Sequence, residues 1–136
     1  MASVLVVDDE PSFRFFLKAL FEMEGHEVRT GRNAREALAH VEERMPDLIT
    51  LDVMMPAHGG LEMYRTISRH EEWRGIPVIM ISGVNREAYD HALAVSGVTG
   101  DTLPEPLAYL EKPPVREHLL ELSRFILESR AGQAPR

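Results

Sequence analysis

The sequence predicts an α/β domain: five strands in one parallel sheet, with helices covering both faces. Three observations predict it. Short runs of valine, isoleucine and leucine without polar alternation recur along the chain, as strands buried on both faces require. Stretches with apolar residues at helical spacing separate those runs. The first and third runs end in aspartate and the fourth in Ser82-Gly83, so polar groups fall at the strand ends, where such sheets place their sites.

The first strand is Val4-Leu5-Val6-Val7, running into Asp8-Asp9-Glu10. Pro11 can open a helix, because its missing N–H would be unpaired there anyway. Phe13, Phe16, Leu17 and Leu20 mark the buried face of that helix, and Gly25 stops it. Glu27-Val28-Arg29-Thr30 is the second strand. Asn33 caps a helix carrying Ala34, Ala37, Leu38 and Val41, which Pro46 ends. Asp47 to Asp52 form the third strand, followed by a loop from Met54 to Gly60 and a helix carrying Leu61, Met63, Tyr64 and Ile67. Trp73 closes the end of that helix, and Ile76 to Ile81 form the fourth strand. A helix from about Asn85 to Val95 follows. Ser96 to Pro106, with two glycines and two prolines, reads as a loop. Leu107 to Leu110 form the fifth strand, and Lys112-Pro113-Pro114 leads to a last helix using Val115, Leu119, Leu122, Phe125 and Ile126.

At 136 residues, 44% of them apolar, the chain fits one compact domain, taken as residues 1–130 with a flexible tail over 131–136. A net charge of -7 argues against direct nucleic-acid binding, which needs a basic face. The absence of cysteine excludes disulfides, thiolate metal sites and cysteine nucleophiles. No apolar run approaches a membrane span of about 20 residues, and no signal-peptide pattern opens the chain, so a cytoplasmic protein is expected. His26, His40, His58, His70, His91 and His118 are scattered without metal-ligand spacing and read as surface residues, and Met54-Met55 as loop packing.

The strand ends carry the chemistry. The first delivers Asp8 and Asp9, the third Asp52, the fourth Ser82 and the fifth Lys112. Asp8-Asp9-Glu10 alone would pass for a solvated turn, Asp52 for a helix cap and Ser82 for a turn serine; together they make a site. Three converging carboxylates repel one another, and a divalent cation relieves the repulsion. The all-oxygen donor set selects Mg²⁺, with Mn²⁺ as a substitute. Beside it a carboxylate can attack phosphorus, while the Lys112 ammonium and the Ser82 hydroxyl face the transferring oxygens and Gly83 leaves room for a donor. Lys112 is one of only two lysines among fifteen basic residues, so a compact ammonium stands where composition would supply a guanidinium.

Val6 to Glu10, Asp47 to Pro56, Gly60, Ile76 to Gly83 and Tyr109 to Pro113 occur in this order, and with them residues 3 to 128 resemble the receiver domain of two-component response regulators, of the stand-alone, chemotaxis-regulator type. The resemblance implies a flavodoxin-like (βα)₅ fold with strand order 2-1-3-4-5. It implies Asp52 as acceptor of a phosphoryl group from the phosphohistidine of a sensor histidine kinase or histidine phosphotransfer protein. It implies Mg²⁺ held by Asp9 directly, by Asp8 through water, by Asp52 and by the Met54 backbone carbonyl. Ser82 and Tyr109 would be a switch pair acting on a downstream protein, Lys112 would contact the phosphoryl group, and Lys112-Pro113 would be cis. The chain departs from the family's common pattern at Met54, Val84, Gly59 and Pro114, and in its long stretch between Ser82 and Lys112. Two other classes compete: an aspartate-nucleophile phosphatase or phosphotransferase, and a receiver-like module that takes no phosphate. Haloacid-dehalogenase-like enzymes carry a second acid two residues after the nucleophile, where this chain has Met54; non-phosphorylated modules commonly lose an acid or the lysine, which this chain keeps.

Overall fold

A computed structural model describes residues 1–55, 59–95 and 103–132. The middle of the Met54–Gly60 loop with His58, most of the Ser96–Pro106 loop with Gly97 and Gly100, and residues 133–136 of the expected tail lie outside the described residues.

The elements alternate: β1 (Ser3–Val7), α1 (Pro11–Met23), β2 (Glu27–Gly31), α2 (Ala34–Glu43), β3 (Leu48–Leu51), α3 (Gly59–Arg69), β4 (Val78–Ser82), α4 (Arg86–Val95), β5 (Ala108–Glu111) and α5 (Arg116–Gly132). The strands form one sheet in the order β2-β1-β3-β4-β5, every pairing parallel. The fold class and strand order implied by the sequence therefore hold.

Strand alternation divides the core. Leu5 and Val7 of β1, Ile49 and Leu51 of β3, and Val78 and Met80 of β4 pack with Ala37 and Val41 of α2, Met63, Tyr64 and Ile67 of α3, and Tyr89 of α4. Their neighbours Val4, Val6, Leu48, Ile79 and Ile81 point the other way, onto Leu17, Leu20 and Phe21 of α1 and Leu119, Leu120 and Ile126 of α5. A central strand buried on both faces leaves little room for polar residues, which is why these runs are almost wholly apolar, with Thr50 in β3 and Ser82 at the end of β4 as buried exceptions.

Local signals set the helix ends. Pro11 opens α1, and Gly25, at φ +87°, ends its exit turn in a conformation that side chains disfavour. The Asn33 side chain accepts from the Glu36 amide at 2.9 Å, and the Asn85 side chain from the Ala88 amide at 2.8 Å. Trp73 packs against the core just past α3 with His70 stacked on it at 3.7 Å.

Several expectations need correction. Phe16 is 42% exposed and Phe21 takes its place in the core. Val115 and Phe125 are exposed, while Leu120 and Ser123 are buried on α5. Gly59 and Gly60 belong to α3, not to the preceding loop. Asp47 lies outside β3, its carboxylate accepting from the Ser3 amide at 2.8 Å. Helix α5 runs two residues into the expected tail, to Gly132. His26, His40 and His70 are half-buried, and the His26 Nδ1 accepts from the Ala2 amide at 3.2 Å.

Arg29 on the edge strand β2 ties that strand to α2. Its guanidinium donates to the His40 and Arg44 carbonyls, each at 2.6 Å, at the helix C-terminus, where positive charge is favoured. Arg29→Met keeps the stem and removes the donors. We expect a loss of about 2 kcal/mol, from two charged hydrogen bonds, one partly buried and one exposed. Thermal unfolding checks it, with a midpoint about 4–8 °C lower.

Candidate functional site

The sheet order fixes where the site lies. From β1 the chain goes to one side to make β2, then returns to the other side of β1 to make β3. The carboxyl ends of β1 and β3 thus flank the topological switch point, where a crevice opens. Asp8 follows β1 and Asp52 follows β3, held by bonds from their own amides to Gly31 O at 3.1 Å and Val7 O at 3.0 Å. The Lys112 amide bonds to Ser82 O at 2.8 Å, which brings the end of β5 up to β4, and the Lys112–Pro113 bond is cis.

Carboxylate oxygens of Asp8, Asp9 and Asp52 lie within 4.8 Å of one another. Asp8 and Asp52 are buried and Asp9 is exposed, so one acid opens to solvent while two are sheltered. The Lys112 ammonium sits between the sheltered pair, 2.8 Å from Asp8 Oδ2 and 3.1 Å from Asp52 Oδ2, with Glu10 Oε1 at 3.7 Å. The remaining oxygens are engaged by the chain: Asp8 Oδ1 accepts from the Glu10 amide and Asp52 Oδ1 from the Met54 amide, both at 2.9 Å. The donor set fits a hard divalent ion: all oxygen, anionic in excess of the one lysine, and open at Asp9.

Burial pushes the Asp8 carboxyl above its ordinary value; the Lys112 hydrogen bond and charge and the Glu10 amide oppose the rise, and the Asp52 charge adds to it. Burial alone would lower the Lys112 ammonium, but its bonds to Asp8 and Asp52 and their charges prevail, and its pKa rises. It therefore stays charged.

The raised Asp8 value has a consequence for stability. Asp8 favours folding fully below pH 3.8, the ordinary value, and that contribution is lost as pH rises through the higher folded value. At neutral pH ionised Asp8 is thus a cost. Asp8→Asn should raise stability at pH 7 by roughly 1 kcal/mol, as relief of a strained site commonly does. Thermal unfolding checks it, and the difference should shrink below pH 4.

Ser82 is fully buried at the end of β4, its Oγ accepting from the Val84 amide at 3.4 Å. Tyr109, half-buried on β5, donates to the Val84 carbonyl at 2.8 Å, so both members of the expected pair meet the same turn. Burial raises the Tyr109 phenol, opposed by the neighbouring Ser82 hydroxyl. Beside it, Tyr89 lies 5.2 Å away ring to ring, and Arg86 spans both rings while pairing with Asp90 and Glu105. A Cβ on Gly83 would meet open space, leaving that approach clear.

Sequence reasoning missed four participants. Glu10 adds a third acid to Lys112. Arg14 donates to the Asp8 carbonyl at 2.7 Å, and Phe13 sets its ring 4.6 Å from the ammonium. Gly60 backs Asp52: a Cβ there would fall 2.2 Å from Asp52 O. Glu10 was visible only as part of an acidic turn, and Phe13 and Arg14 only as residues of the helix that follows it. A cavity of about 430 Å³, lined by Tyr64, Ile76, Pro104 and Phe125 among others, includes none of the site residues.

A doubly wound sheet with three acids and one lysine at its switch point defines a receiver-type site. The chain belongs to the response regulator receiver domain family, whose profile matches residues 4–122. It is 32% identical over 127 residues to Protein PilH of Pseudomonas aeruginosa, covering 93% of this chain and 98% of that protein. It is 34% identical over 119 residues to the CAI-1 autoinducer sensor kinase/phosphatase CqsS of Vibrio cholerae, covering 87% of this chain but only 15% of that relative's length. The solved chemotaxis protein CheY4 of Vibrio cholerae superposes with a TM-score of 0.76 at 28% identity, covering 93% of this chain and 98% of that one. Among the described residues no helix is long and apolar enough to cross a membrane.

Proposed function

We propose that this receiver, taken as residues 1–130, is a phosphorylation switch that accepts a phosphoryl group on Asp52. The observation that carries the reading is the Lys112 ammonium lodged between the buried Asp8 and Asp52 carboxylates, with Asp9 exposed beside them. An Asp52 carboxylate oxygen bonds to phosphorus as the bond from phosphorus to the donor nitrogen breaks, and the imidazole leaves with its electron pair. The product is an acyl phosphate, and its new oxygens fall within reach of Lys112 and Ser82. Asp8, Asp9, Asp52 and the Met54 backbone carbonyl would hold Mg²⁺. Bound there, the ion offsets the carboxylate charge and that of the phosphoryl oxygens.

The donor is a phosphohistidine of a sensor histidine kinase or phosphotransfer protein, and the output is a changed contact with another protein. Ser82 and Tyr109 carry the change: a hydroxyl drawn toward the new oxygens alters the turn that Tyr109 holds through Val84. The reading puts the chain in the cytoplasm, and makes it a switch that loses its phosphoryl group slowly instead of a turnover enzyme. An aspartate-nucleophile phosphatase is disfavoured because Met54, exposed and apolar, offers no second acid.

Acetyl phosphate with Mg²⁺ should add one phosphoryl group, seen by intact-mass spectrometry and removed by hydroxylamine. Chelation of the metal should stop the reaction. Addition that survives hydroxylamine, or that proceeds equally in chelator, would refute the reading.

A further inference from the structure

We infer that Phe13 is a positioning residue for Lys112, holding its ammonium by the face of an uncharged ring; the inference rests on the proposed contact between Lys112 and the phosphoryl group. The ammonium ends a flexible four-carbon stem and faces three acids at unequal distances: 2.8 Å to Asp8, 3.1 Å to Asp52 and 3.7 Å to Glu10. Charge attraction alone favours the nearest, Asp8, and draws the lysine away from the acceptor. Any further acid placed to hold it would add to the repulsion among the carboxylates already there. An aromatic face attracts a cation through its quadrupole without adding net charge.

Phe13 is built to be that fixed point. Its ring centre lies 4.6 Å from Lys112 Nζ, inside the range of such contacts, and the lysine side chain is only 17% exposed, so water weakens the attraction little. The first turn of α1 is pinned by the Arg14 amide bonded to Glu10 O at 3.0 Å and the Arg14 guanidinium bonded to Asp8 O at 2.7 Å. The Phe13 ring rests on the α1–α5 side of the core and on Phe16, 6.0 Å ring to ring. Ring attraction does not depend on donor direction. The ammonium can therefore turn its N–H groups from the Asp52 carboxylate to phosphoryl oxygens while keeping its place.

The test measures the phosphorylation rate with acetyl phosphate at saturating Mg²⁺, together with thermal midpoints. Phe13→Tyr keeps the face and should keep the rate. Phe13→Leu keeps apolar packing and should slow it about three- to tenfold. Fluorination of the Phe13 ring at one, two and three positions should lower the rate in steps, because each fluorine weakens the face while size hardly changes; a packing role would leave the series flat. A second readout needs no phosphoryl group: the Lys112 ε-methylene protons should resonate upfield through the ring current and return in Phe13→Leu. Equal rates for Tyr and Leu, a flat fluorine series, or ε-protons without a ring shift would each overturn the inference. If the parent takes no phosphoryl group while the ring shift is present, the placement stands and the function reading falls.

Discussion

Asp52→Asn should take up no phosphoryl group from acetyl phosphate under conditions that label the parent. The amide has no anionic oxygen to bond to phosphorus, so the loss is of the nucleophile itself. The fold should survive, because the amide oxygen can still accept from the Met54 amide, which Asp52 Oδ1 does at 2.9 Å. Lys112→Ala separates a second requirement. It leaves the nucleophile and removes the cation held 3.1 Å from it, so charge developing on the phosphoryl oxygens loses a fixed partner. Removing such a group costs about a hundred- to a thousandfold in rate. Lys112→Arg should recover little, because a planar guanidinium cannot occupy the small space between Asp8 and Asp52. Intact-mass kinetics decide all three. Labelling of Asp52→Asn at the parental rate would move the acceptor elsewhere.

Gly60→Ala should be the most damaging added methyl at Gly25, Gly31, Gly59, Gly60, Gly75 or Gly83. The added carbon would lie 2.2 Å from the Asp52 carbonyl oxygen, 2.5 Å from Val53 Cα and 2.8 Å from Val53 C. All three are backbone atoms, so no side-chain rotation relieves the clash. Alanine gains about 1 kcal/mol of helix propensity over glycine, but overpacking against fixed backbone costs about 3 kcal/mol or more, so the clash wins. The thermal midpoint should fall by about 5 °C or more. Because the atoms pushed belong to the acceptor and its neighbour, phosphoryl uptake should also fall at temperatures where the variant is folded. Gly83→Ala, whose Cβ meets nothing within 4 Å, is the control and should leave stability nearly unchanged.

Much of the fold was legible because burial on both sheet faces writes itself as almost wholly apolar runs, and because Asn33 and Asn85 cap their helices by local chemistry. The carboxylates were legible because β1 and β3 deliver them directly. What stayed hidden depends on distant partners. In α1, helical spacing permits a face with Phe13, Phe16, Leu17 and Leu20 or one with Phe13, Leu17, Leu20 and Phe21, and only the packing of α1 on its distant neighbours selects the second. On α5 a serine was passed over for the core, yet Ser123 is buried with its hydroxyl satisfied by Leu120 O at 3.0 Å. Gly59 and Gly60 read as loop because glycine disfavours helices, whereas Gly60 answers to the close passage of Asp52 behind α3.

The strand order also sets which parts of the domain can breathe. Strands β1 and β3 have neighbours on both sides, so freeing either one means breaking two ladders and both layers of side chains. Strand β5 has a neighbour on one side only, and it carries Tyr109 and leads into Lys112. Local opening should therefore begin at the rim and stop short of β1 and β3, whose backbone is freed only when the whole domain unfolds. The strands that deliver the carboxylates share the free energy of global unfolding, and the strand that carries Tyr109 sits where excursions are cheapest.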